Sequence, residues 1–183
     1  MTSNEIRAFW RMEVRVAKGD EPPTIKGTLP YNSPSEDLGG FREVLKPGCF
    51  KSSLKSRDVI ALWSHDSSRP LASTRNGSLR LKDGPEGLEI EFDIDQRISW
   101  ARDAYLSIKN GNLSGLSFGF LCEKEAWPSA SLREVISANL LEISPVVFPA
   151  YPSAGIAARS AVDESVKAYW EAQDMRAFFG RRA

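Results

Sequence analysis

Gly87-Leu88-Glu89-Ile90-Glu91-Phe92-Asp93-Ile94 is the stretch that decides the fold class. Leu88, Ile90, Phe92 and Ile94 share one parity, and Glu89, Glu91 and Asp93 share the other. A period of two belongs to a strand with one buried face, whereas a helix would scatter the same residues around its axis. Before it stands Asp83-Gly84-Pro85-Glu86, a turn, and residues 78–82 read as the partner strand of a hairpin. Working outward, residues 8–16 alternate in the same way. Trp10, Met12, Val14 and Val16 oppose Arg11, Glu13 and Arg15, which predicts one half-buried strand. Residues 24–31, 58–65, 113–122 and 140–148 read as further strands. Residues 32–40 read as a loop, Pro47-Gly48 as a turn and 50–56 as a short helical turn. Residues 99–109 have helical spacing and stop at Asn110-Gly111, a C-terminal cap. Residues 162–179 form an amphipathic pattern with Val162, Val166, Tyr169, Trp170 and Phe178 in one stripe. About seven strands and two helices that do not alternate regularly predict a mainly β protein, an antiparallel barrel or sandwich with peripheral helices.

Composition narrows the class. At 183 residues the chain suits one domain, or one domain with a tail. The expected division is a β-domain at 1–160 and a C-terminal helix at 161–183, packed on the domain or forming a self-association surface. With 42% hydrophobic residues there is enough apolar material for a core, which argues against disorder throughout. Basic and acidic residues balance at 24 each, so the basic excess of a phosphate-neutralising nucleic-acid binder is missing. No apolar run approaches the roughly 20 residues of a membrane helix, and the first residues lack the pattern of a signal peptide. Cys49 and Cys122 are too few for a disulfide framework, so a reducing compartment is expected. The single histidine, His65, excludes any site built from two imidazoles of one chain.

Three places could carry chemistry. His65 lies where an apolar strand meets the polar run Asp66-Ser67-Ser68, and an ordinary imidazole pKa of about 6.5 suits a general base. A structural histidine is the plainer alternative. In Gly111-Asn112-Leu113-Ser114-Gly115-Leu116-Ser117-Phe118-Gly119-Phe120, strand parity sends Leu116, Phe118 and Phe120 to the core, and Ser114 with them. Ser117 points the other way between Gly115 and Gly119, with the space a nucleophile needs; a passive serine at a bulge is the alternative. Glu142 interrupts the apolar run Leu140-Leu141-Glu142-Ile143. A buried carboxylate there needs a partner, either the ring of His65 or, on a solvated face, a base such as Arg133.

These residues sit within a wider pattern. Gly27 and Tyr31 are followed by Phe41-Arg42-Glu43 and Pro47-Gly48-Cys49-Phe50, then Leu62-Trp63-Ser64-His65-Asp66. Gly77-Ser78-Leu79-Arg80-Leu81, Gly87-Leu88 and Gly115-Leu116-Ser117-Phe118-Gly119-Phe120 come next. Leu141-Glu142-Ile143-Ser144 and Pro149-Ala150-Tyr151-Pro152-Ser153-Ala154 complete it. In order and spacing this resembles the HK97-type prohead (capsid maturation) serine proteases of tailed bacteriophages, over residues 25–154. Tyr151 stands where that family usually has Asn, and Cys49 where it usually has Ala.

The resemblance implies an antiparallel β-barrel wrapped by α-helices, related to the herpesvirus assemblins. It implies a serine endopeptidase with His65 as general base, Ser117 as nucleophile and Glu142 as orienting acid, and no cofactor or metal. The implied substrates are the scaffold segment of the major capsid protein or a separate scaffold protein, and the protease itself. The implied place is the assembling prohead in the bacterial host cytoplasm, with neither nucleic acid nor membrane as partner. Assemblins dimerise, which leaves a homodimer open. Competing readings are a non-catalytic barrel module that binds capsid or scaffold protein, Ser114 as nucleophile, a cysteine mechanism through Cys122 or Cys49, and a metal hydrolase using Asp66, Asp93, Asp95 and His65.

Overall fold

The computed structural model describes residues 22–147, together with the backbone of two strands at 4–9 and 12–15. The described elements are β1 (Asn4–Phe9), β2 (Met12–Arg15), β3 (Thr24–Pro30), β4 (Arg42–Leu45), α1 (Ser53–Ser56) and β5 (Ile60–Trp63). They continue with β6 (Asp66–Ser73), β7 (Leu79–Asp83), β8 (Gly87–Asp93), α2 (Ser99–Lys109), β9 (Gly115–Ser129) and β10 (Leu132–Val146).

The alternation in β8 does what its period predicts. Leu88, Ile90, Phe92 and Ile94 are all at most 2% exposed. β8 pairs antiparallel with β7 and with β3, and β2 completes a four-stranded sheet in the order β2-β3-β8-β7. The second sheet has six strands, ordered β1-β9-β10-β5-β6, with β4 also on β10. Both sheets share one core, which joins Ile25, Ile90 and Phe92 to Phe118, Phe120 and Ile143. Phe50 sits edge-on to Phe118 and Phe120, each 6.2 Å away, a favourable geometry for ring quadrupoles. Ala101, Ala104, Tyr105 and Ile108 of α2 enter the same core. Gly111, at φ +77°, stops that helix in the left-handed conformation expected of its cap.

Several expectations change. The described residues of the segment at 8–16 fall on two strands: Ala8 and Phe9 belong to β1, which joins β9 in one sheet, and Met12–Arg15 form β2, which joins β3 in the other. The polar run Asp66-Ser67-Ser68, where a loop is expected, instead opens β6, which continues to Ser73. The strands expected at 113–122 and 140–148 are parts of one long hairpin whose arms run 15 residues each. Alternation fades in its outer half, where Glu123, Lys124 and Glu125 are exposed in succession, so periodicity gives no signal there. No ladder joins the two sheets among the described residues. The architecture is therefore mainly β with few helices, and among the described residues the strands form two sheets without a closed barrel. The expected helix at 161–183, and the boundary before it, lie outside the described residues. Among those described, no helix is long and apolar enough to cross a membrane.

Candidate active site

β10 organises the site because one of its edges is met by a succession of different segments. β4 runs parallel to Leu132–Val135, and β5 runs parallel to Glu142 and Ile143. Between them the chain from Lys46 to Ser53 takes over. Lys46 N–H donates to the Val135 carbonyl, Ala138 N–H to the Cys49 carbonyl, and Leu140 N–H to Ser53 Oγ at 3.1 Å. Buried backbone groups need such partners. Pro47-Gly48 turns the chain into this position, with Gly48 at φ +77°.

A register shift in β10 falls between Leu140 and Glu142. Leu140 and Ile143 are three residues apart, yet both lie in the core, which an unbroken strand would forbid. The bulge reconciles them. It leaves Glu142 opposite Gly119 and Ser144 opposite Ser117, on the face away from Phe118 and Phe120. Glu142 is 1% exposed and Ser144 is fully buried.

His65 reaches this face from a two-residue turn. β5 ends at Trp63, β6 begins at Asp66, and Trp63 faces Asp66 across the turn. Ser64 and His65 have φ of 51° and 65°, both in the left-handed region that two-residue hairpin turns use and that usually selects Asn-Gly. For residues with a Cβ this costs roughly 1–3 kcal/mol each. The turn is held by Ser64 N–H donating to the Pro145 carbonyl and His65 N–H donating to Ser144 Oγ at 3.1 Å. The ring of His65 then lies against Glu142, with Nδ1 2.8 Å from Oε1. Burial lowers the imidazole pKa, while the charge of Glu142 and its hydrogen bond raise it; the net direction is upward from the ordinary value.

Ser117 and Gly119 of β9 complete the face. Directly opposed residues of antiparallel strands bring their Cβ atoms to about 4.5–5.5 Å, so Ser117 lies beside Ser144. Ser117 is 2% exposed, more enclosed than a hydroxyl flanked by glycines suggests. Gly119 leaves room for a side chain rather than for a passing backbone: a Cβ there would stand 2.8 Å from Glu142 Oε1. Ser144 was not among the predicted site residues, although Glu142 and Ser144 share strand parity and that signal was legible.

The remaining candidates have other partners or surroundings. Ser114 precedes β9 and is exposed, not buried as its parity suggested. Cys49 is buried, and burial chiefly pushes its thiol up to about 12, which leaves little thiolate. Cys122 is only partly buried and contacts Glu125. Asp93 pairs with Arg80 and Thr24, Asp95 with Arg97, and Asp66 with Ser68 and Arg69. Arg133 serves Glu43 and Glu125, at 2.8 and 2.5 Å, and not Glu142.

A buried carboxylate–imidazole pair thus lies on the sheet face that also bears Ser117, on a mainly β fold. The family model described as "Caudovirus prohead serine protease" matches residues 11–169, and the chain belongs to that family. It is 30% identical over 139 residues to the prohead protease of Enterobacteria phage HK97, covering 73% of this chain and 60% of that protein. It is 27% identical over 169 residues to the capsid polyprotein of Pseudomonas phage PAJU2, covering 88% of this chain and 24% of the polyprotein. The chain thus spans less than two thirds of the length of either relative. Its fold is similar to that of the bacteriophage T4 capsid assembly protease, with a TM-score of 0.54 over 80% of this chain and 98% of the other, at 11% identity.

Proposed function

We propose that this chain is a serine endopeptidase of virus prohead maturation, with Ser117 as nucleophile, His65 as general base and Glu142 as the acid that orients it. The observation that carries the proposal is the 2.8 Å contact between His65 Nδ1 and Glu142 Oε1, on the sheet face that also bears Ser117. A carboxylate only accepts, so Nδ1 holds its proton toward Glu142, and Nε2 of the neutral ring is the lone pair left for chemistry. Nε2 takes the Ser117 proton as Oγ attacks a peptide carbonyl. The imidazolium then protonates the leaving amine, and water, deprotonated by the same nitrogen, hydrolyses the acyl-enzyme.

Family membership and the relatives named for prohead protease and capsid polyprotein support scaffold segments of the capsid protein as substrate, with self-cleavage alongside. The site of action is then the assembling prohead in the bacterial host. The test is co-expression with the major capsid protein of the same virus. Wild-type protein is expected to cut the scaffold segment, and Ser117→Ala to fold normally and leave it intact. A folded Ser117→Ala protein that cuts at more than about a tenth of the wild-type rate rules out Ser117, since removing the nucleophile of such a triad costs on the order of 10⁶.

One observation favours a second reading. At 2% exposure, Ser117 meets a peptide carbonyl only if its cover moves aside. A chain whose cover never moved would be a non-catalytic module that binds capsid or scaffold protein. In the co-expression test such a module remains bound to uncut capsid protein.

A further inference from the structure

We propose that Ser144 is a positioning residue for the His65–Glu142 pair, its buried hydroxyl fixing the main chain of one and the carboxylate of the other. The inference deepens the catalytic reading above and rests on it. Ser144 Oγ lies 2.6 Å from Glu142 Oε2 and 3.1 Å from the backbone nitrogen of His65. A serine hydroxyl has one proton to give and lone pairs to receive. The carboxylate can only accept and the backbone N–H can only donate, so the direction of both bonds is fixed: Ser144 gives to Glu142 and receives from His65.

With the 2.8 Å contact between the His65 ring and Glu142 Oε1, these bonds close a loop of three residues. The two carboxylate oxygens are held from different sides, one by Ser144 and one by the imidazole, so rotation of the carboxylate breaks both contacts. His65 is likewise held at ring and main chain. Its left-handed backbone is a conformation that persists only where the surroundings enforce it. Ser144 is fully buried, so water does not replace its bonds when they are lost.

Ser144 is not in the proposed proton path, and so its removal is expected to slow activation of Ser117 without touching the nucleophile. The test compares wild type, Ser144→Ala and Ser144→Thr by the pH-dependent rate at which a fluorophosphonate labels Ser117, and by NMR titration of the imidazole. Because His65 is the only histidine, its signal needs no further assignment. Ser144→Ala is expected to label on the order of tenfold to a hundredfold more slowly, the scale of a misplaced catalytic group. Its imidazole midpoint is expected to fall, since burial then acts with less opposition from Glu142. Ser144→Thr, which keeps the hydroxyl, is expected to restore both. Should Ser144→Ala not fold, Ser144→Cys, similar in size but a weaker hydrogen-bonding group, is expected to move both readouts the same way. A folded Ala or Cys variant with an unchanged midpoint and labelling within about threefold of wild type overturns the proposal. If wild type is not labelled at Ser117 at all, the catalytic reading fails, while the imidazole titration still decides whether Ser144 holds the pair.

Discussion

β8 and β10 both carry acids among apolar neighbours, and they use them in opposite ways. Glu89, Glu91 and Asp93 of β8 point to solvent and meet long basic side chains: Lys82, Lys26 with Arg80, and Arg80 again. Glu142 of β10 is 1% exposed and meets an imidazole and a hydroxyl. The surface row tolerates loss of any member because water replaces it. The buried group has no such substitute, and its two oxygens depend on His65 and Ser144. What separates a solvated strand face from a candidate site is enclosure with short-range partners, not the presence of alternating carboxylates.

The sharpest way to break this contrast is Glu142→Gln. It keeps the shape but no longer stabilises the imidazolium or enforces the Nδ1–H tautomer, and kcat is expected to fall by about 10³–10⁴, measured by single-turnover cleavage of the capsid scaffold segment. A fall of less than tenfold would put Glu142 with the surface acids. Next comes Gly119→Ala, whose new methyl would crowd Glu142 Oε1; a loss on the order of a hundredfold is expected with native circular dichroism. Full activity there would mean that the carboxylate has freedom to move.

The third prediction concerns pH. The neutral imidazole is the base, and its pKa is raised, so kcat/KM is expected to climb with pH through a midpoint above 6.5. The ion pair's contribution to stability has the opposite dependence: it is fully present below 6.5 and is lost as pH rises through the folded value. For Asp93, held down chiefly by its hydrogen bond to Arg80, stability is instead present above 3.8 and is lost as pH falls through the lowered value. An activity midpoint below 6.5 would contradict the assigned partner of His65. The smallest effect is expected from Glu91→Gln, about 0–1 kcal/mol by urea denaturation and smaller still in high salt, because Glu91 is only half-buried and its pairs are screened by solvent.

Parity carried the sequence reading furthest where one face is buried and the strand is regular. It located Leu88, Ile90 and Phe92, and it separated Phe118 from Ser117. It failed where the backbone departs from regularity. β1 and β2 enter different sheets, and the only sequence sign of it is the apolar run Ala8-Phe9-Trp10, which interrupts the alternation that holds from Trp10 to Val16. Strand parity does not reach Ser114 because the strand starts at Gly115, two residues later than the expected start at 113. The bulge at Leu141 could not be read from composition, although it decides that Glu142 opposes Gly119. The left-handed turn at Ser64-His65 was equally hidden, since neither residue advertises positive φ as Gly or Asn would.

The most direct measurement is mass-spectrometric mapping of the adduct after fluorophosphonate treatment of the folded protein at pH 8. A single stoichiometric adduct on Ser117, absent from His65→Ala, is the result predicted if hydroxyl, imidazole and carboxylate act as one unit. An adduct on another serine, or equal labelling of Ser117 with and without His65, would contradict it.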